Sequence, residues 1–183
     1  MSKLEGELGI LARRRIEAEI IKPIYDILVR EIGKERAGDI IGEAVSGAAV
    51  AAGKQFAARE PSGHVDLKTF AGLQHLWTKD DALRIEVHAS DAQQFDYDVT
   101  RCRYAEMYQE MGLGEIGHLL SCNRDSEFIR GYAPDVVLSR TTTIMSGAAR
   151  CNFRYRAGHS APDGTAGDRD SDTSSDPTGK AMD

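Results

Sequence analysis

The chain has 183 residues, of which 41% are apolar and 28% charged, enough for one core-bearing domain and a tail without disulfide staples. Its net charge is -6, but residues 157–183 carry -4 of this, so residues 1–156 are nearly neutral and give no electrostatic support to nucleic-acid binding. No apolar run reaches the length of a membrane span, and the three cysteines (Cys102, Cys122, Cys151) are odd in number with no secretory leader ahead of them, so the expected setting is a reducing cytoplasm with free thiols and no membrane partner.

Residues 4–32 predict a helix, because Leu4, Leu8, Leu11, Ile16, Ile20, Ile24, Leu28 and Ile32 recur at helical spacing. Arg13, Arg14 and Arg15 fall on or beside its wet face. Pro23 is expected to kink or divide it, and Gly33 suits its end. Residues 35–59 predict a second helix. Its small residues from Ala44 to Gly53 permit close approach of another element, by plain helix packing or as a subunit contact in a homo-oligomer. Pro61-Ser62-Gly63 breaks the pattern, and residues 66–77 resume a short helix with Leu67, Phe70, Leu73, Leu76 and Trp77 on one side.

The period then becomes two. Leu83, Ile85 and Val87 face one way in the first strand, as do Phe95, Tyr97 and Val99 in the second, predicting an antiparallel hairpin. Helices are expected over 103–112 and 115–120, then from an Asn123 or Asp125 cap through Arg130. Val136–Met145 and Arg150–Arg156 predict a second hairpin, turning at Ser146-Gly147-Ala148, with Cys151, Phe153 and Tyr155 on one face. Residues 158–183 are Gly-, Ser-, Thr- and Asp-rich and read as a disordered acidic tail after a single domain over 1–157. The order of elements predicts an α+β fold, with the N-terminal helices packed on an antiparallel sheet built from two hairpins.

Reactive residue types concentrate between Arg101 and Cys151. The runs Arg101-Cys102-Arg103-Tyr104-Ala105-Glu106, Gly117-His118-Leu119-Leu120-Ser121-Cys122-Asn123-Arg124-Asp125, Arg140-Thr141-Thr142-Thr143 and Cys151-Asn152-Phe153-Arg154-Tyr155 carry them. Together with Tyr97-Asp98-Val99-Thr100 and Gly131-Tyr132-Ala133-Pro134-Asp135, these runs resemble the L-2-amino-thiazoline-4-carboxylic acid hydrolase family over residues 95–156. The helices followed by a terminal strand also resemble vinyl-reductase-type ligand-binding domains, which implies a small-molecule pocket between helices and sheet.

The family resemblance implies a hydrolase acting on a C–N bond of a small nitrogen heterocycle, by ring opening or amidine-type hydrolysis of a thiazoline-carboxylate-like substrate. The competing reading is a non-catalytic, sensor-like binding module. Hydrolysis needs a nucleophile or activated water, an acid, and a cation for the substrate carboxylate. Cys122 is the first candidate nucleophile, since a helix N-terminus and Arg124 can lower its pKa, and Cys102 is the second, placed by alternation on the face of Asp98 and Thr100. A buried structural thiol is the alternative for both. His118 is a candidate acid or base, Asp125 a candidate orienter of base or water, and Glu106 lies one turn after Cys102. Packing, helix capping and a solvated carboxylate are the respective structural alternatives. Arg140 is the candidate carboxylate clamp, with an ion pair to Asp125 or Glu106 as its alternative. Arg101, Tyr104 and Thr142 complete the candidate binding set. No CxxC or HxxxH spacing occurs, so neither a metal nor a cofactor is expected.

Overall fold

The computed structural model describes residues 8–158. It opens with two long helices, α1 (Ile10–Ile32) and α2 (Lys34–Ala57), joined at Gly33. Gly33 has φ +81°, a backbone state that favours glycine and turns the chain sharply between them. Pro23 does not divide α1. Its ring lies on the exposed face, where water can satisfy the carbonyl that loses a donor, while Ala18 and Tyr25 stay buried on either side of it.

Short helices α3 (Leu67–Gly72) and α4 (Gln74–Thr78) follow. Asp66 caps α3 by accepting from the Thr69 N–H at 2.7 Å, while the Thr69 hydroxyl accepts from the Asp66 N–H. Then come β1 (Leu83–Ser90), β2 (Gln94–Cys102), α5 (Arg103–Glu110), a π-helical turn (His118–Cys122), α6 (Asn123–Tyr132), β3 (Val136–Ser139), a 3-10 turn (Ile144–Ser146) and β4 (Cys151–Ala157). The four strands form one antiparallel sheet in the order β1-β2-β4-β3, which is the α+β architecture expected from the element order.

Several local expectations change. The third strand stops at Ser139, because the side-chain carbonyl of Asn152 accepts from the backbone N–H groups of Thr141 and Thr142 at 3.0 and 2.8 Å in place of a ladder. The expected helix over 115–120 and the expected cap at Asn123 or Asp125 give way to a π-helical turn that runs without a break into α6. Val87 is exposed, on an edge strand, where it was expected to face the core.

Register matters most at Thr100. Arg84 pairs with Arg101 but Ile85 with Val99, so Thr100 is an extra, bulged residue. The bulge reverses the alternation. Cys102 therefore turns inward and packs against the core, not onto the face of Asp98 and Thr100.

The interior has two parts. One lies between sheet, α3 and α6, and includes Phe70, Phe95, Tyr97, Phe128, Tyr132, Phe153 and Tyr155. The other lies among the helices, and includes Ala18, Tyr25, Ile41, Tyr104, Tyr108 and Leu120. Leu83 and Cys102 touch both, so they mark the seam. The small residues of α2 serve close packing inside the chain. A Cβ on Gly53 would lie 2.2 Å from the Phe128 carbonyl oxygen, and one on Gly131 would lie 2.2 Å from that of Val50.

Candidate functional site

At the seam a cavity of about 190 Å³ opens among α1, α2, α4 and the start of α6. Its walls are aromatic and small apolar: Phe56, Trp77, Tyr104 and Phe128, with Ala49 and Ala52 leaving the space. Cations gather around it, with Arg13, Arg14, Arg59, Lys79 and Arg124 all reaching the lining. Arg14 and Arg124 share one carboxylate, Glu17, at 2.6 and 3.0 Å. Burial, and then the charge of Arg14, push the Arg124 guanidinium below its usual range. Two half-buried guanidiniums thus have one carboxylate as their shared ion-pair partner. Arg13 makes no ion pair among the described residues.

Next to this cavity, on the sheet side, lies a polar cluster. Arg140, just past the end of β3, donates to the Asp125 carboxylate at 2.5 Å and to the Cys122 carbonyl at 2.9 Å, and its guanidinium covers the Phe153 ring at 4.9 Å. The two side chains keep 13% and 28% of their surface. Burial raises the Asp125 carboxyl above the usual carboxylate range, with the Arg140 charge pulling the other way, and Arg140 stays cationic. Arg14 and Arg124, which line the cavity, also act on Asp125. Tyr104 lines the cavity too, and its hydroxyl feels Arg14, Cys102 and Asp125. Cavity and polar cluster thus form one electrostatic unit.

The three thiols belong to this unit and influence one another. Burial pushes Cys122 up to about 12, with the Asp125 charge adding to the rise, and pushes Cys102 up to about 11. The expected lowering at Cys122 fails for a structural reason. The π-helical turn precedes it without a break, so no free helix N-terminus points at the sulfur, and Arg124 turns instead to Glu17 and the Leu120 carbonyl. Cys102 accepts from the Ala105 N–H at 3.4 Å as the cap of α5, and Cys151 accepts from the Ile144 N–H at 3.2 Å.

Of the residues singled out in the sequence, Cys102, Cys122, Asp125, Arg140 and Tyr104 thus influence one another, but only Tyr104 among them lines the cavity; the thiols, Asp125 and Arg140 lie behind its wall. Four others lie elsewhere. Glu106 and Arg101 bind each other at 2.9 and 3.1 Å on the surface, with Asp81 as a further partner of Arg101. His118 is exposed and borders a shallow groove with Tyr25, Lys34 and Glu115. The Thr142 hydroxyl donates to Asn152 on the outer side of the sheet. The contribution of Arg13, Arg14, Phe56, Trp77 and Ser121 to the cavity was not foreseen, although the run Arg13-Arg14-Arg15 beside an apolar stripe was the available signal. Among the described residues no three His, Cys, Asp or Glu gather closely enough to hold a metal ion, and no helix is long and apolar enough to cross a membrane.

No curated protein matches the chain. Among solved structures, the phenol-responsive sensory domain of the transcription activator PoxR, crystallised with phenol, is similar with a TM-score of 0.51 at 13% identity, over 79% of this chain and 74% of that one. That likeness is one of fold: helices on an antiparallel sheet, in a domain that binds a small ligand. The family model for L-2-amino-thiazoline-4-carboxylic acid hydrolase matches residues 13–155, through both long helices, the whole sheet up to Tyr155 and every member of the cluster around Asp125, and the chain belongs to that family.

Proposed function

We propose that the protein hydrolyses a small nitrogen heterocycle that carries a carboxylate, with the ring between Trp77, Phe56 and Phe128 and the carboxylate toward Arg14 and Arg124. The observation that carries this reading is the aromatic-walled cavity whose two half-buried guanidiniums share one carboxylate, next to the Asp125–Arg140 pair. A volume of about 190 Å³ fits a five-membered ring with one substituent, well below the usual range for drug-sized ligands.

In the proposed reaction Asp125 takes a proton from water as the water oxygen bonds to the ring carbon between two heteroatoms. Asp125 passes that proton to the ring nitrogen as its C=N bond becomes single, then takes the hydroxyl proton of the tetrahedral intermediate and hands it to the same nitrogen as the ring C–N bond breaks and the carbonyl forms. A carboxyl raised by burial suits both steps, while Arg140 positions it. Water rather than a resting thiolate is the favoured nucleophile, because burial keeps Cys122 and Cys102 protonated at neutral pH. The test is a panel of cyclic amidines and thiazoline carboxylates with product analysis. Turnover by the native chain and a fall of about 10²–10⁴-fold in kcat for folded Asp125→Asn are expected. Full activity in that variant removes the base assignment.

A second reading is a sensor-like binding module, favoured by the fold shared with a ligand-binding sensory domain. It predicts thermal stabilisation by a small ring compound that is recovered unchanged.

A further inference from the structure

α1 presents an unpartnered apolar face. Ile16, Ile20, Ile24 and Ile27 are 54%, 63%, 45% and 49% exposed, on the side of the helix opposite buried Ala18 and Tyr25. At helical rise the four span roughly 16 Å in one continuous stripe. Four exposed isoleucines in a row on one helix exceed the scattered apolar side chains of an ordinary surface.

Residues 1–7 and 159–183 bring little apolar surface that could cover them. Residues 1–7 contribute only Met1 and Leu4 as large apolar side chains, and residues 159–183 only Met182.

We propose that this stripe binds the same stripe of a second copy, with the two α1 helices antiparallel about Pro23 and Ile24. Self-complementarity of the flanking charges supports that orientation. Glu19 and Arg30 lie along one edge of the stripe, both exposed. Reversing the second helix sets Ile20 against Ile27 and Glu19 against Arg30 at each end. A parallel two-fold pair would put the two copies of this edge on opposite sides of the contact, where Glu19 and Arg30 could not meet. A two-fold, isologous contact of this kind uses one patch on both subunits and closes on itself. It buries less than the roughly 800 Å² per partner of a standard interface, so the dimer is weak and depends on concentration.

Sedimentation velocity over a concentration series should show a monomer–dimer equilibrium. Ile20→Glu and Ile27→Glu should each leave a monomer with an unchanged melting curve, since both positions are exposed. Glu19→Arg and Arg30→Glu should each weaken association about tenfold, and the double variant should restore it. Mild oxidation should cross-link Ile24→Cys to itself but not Ile16→Cys. A monomer at every concentration, a dimer that survives Ile20→Glu, a double charge variant weaker than either single one, or self-linking through Ile16→Cys in place of Ile24→Cys overturns the proposal.

Discussion

At Cys122 the sulfur sits among protein atoms, beside a carboxylate and behind an unbroken helical turn, and each of these disfavours the thiolate. Alkylation by iodoacetamide should therefore be slow at pH 7 and accelerate only as pH climbs toward 12, which mass spectrometry of the modified peptide would follow. The same shift has a stability consequence. The folded-state value lies above that of an exposed thiol near 9, so the folded chain holds the proton more tightly. This contribution is complete below pH 9 and is lost as pH rises from 9 toward 12. Denaturation midpoints should fall over that window, and Cys122→Ala should flatten the slope. Asp98 works in the opposite sense on the outer face of the sheet. Arg150, Arg154 and His88 hold its carboxyl down to about 2 although its side chain is 7% exposed, so its contribution persists until strongly acid pH.

Among the elements, the α2–α6 contact is the least forgiving. Backbone approaches backbone at Gly53 and Gly131, where a methyl group would collide with carbonyl oxygens that cannot move without shifting a helix. Gly53→Ala or Gly131→Ala should cost about 1–3 kcal/mol, or several degrees in thermal melts, and either would also disturb the cavity wall at Ala52 and Phe128. Much of this layer was legible beforehand. The small-residue run of α2 and the alternation of Phe95-Tyr97-Val99 and Cys151-Phe153-Tyr155 map onto observed packing and inward faces, whereas the apolar spacing of α1 located the helix but not its buried side: Ile16, Ile20, Ile24 and Ile32 face out, and Ala18 and Tyr25 face in. What escaped is non-local. The Thr100 bulge depends on how β1 meets β2, and no pattern within β2 announces it. The π-helical turn hides in a segment that reads as two short helices, and because it runs into α6 without a break it leaves no free helix N-terminus at Cys122. Arg140 pairs with Asp125, which is the structural alternative named for it beside the role of carboxylate clamp.

For the molecule as a whole, the cavity lies where the sheet-side and helix-side interiors meet, touched by Phe128 from one and Tyr104 from the other. Each half is packed within itself, and they join through few side chains, of which Leu83 and Cys102 are two. A guest in that space would act as a keystone. It would add contacts that neither half possesses alone, so its binding free energy would oppose their separation. Amide hydrogen exchange read residue by residue should accordingly slow in α1 and α6 together when the cavity fills, even for amides far from the guest, while β1, at the sheet edge, keeps its empty-state rate. Unequal slowing, confined to groups in direct contact, would mean that the halves already open as one unit.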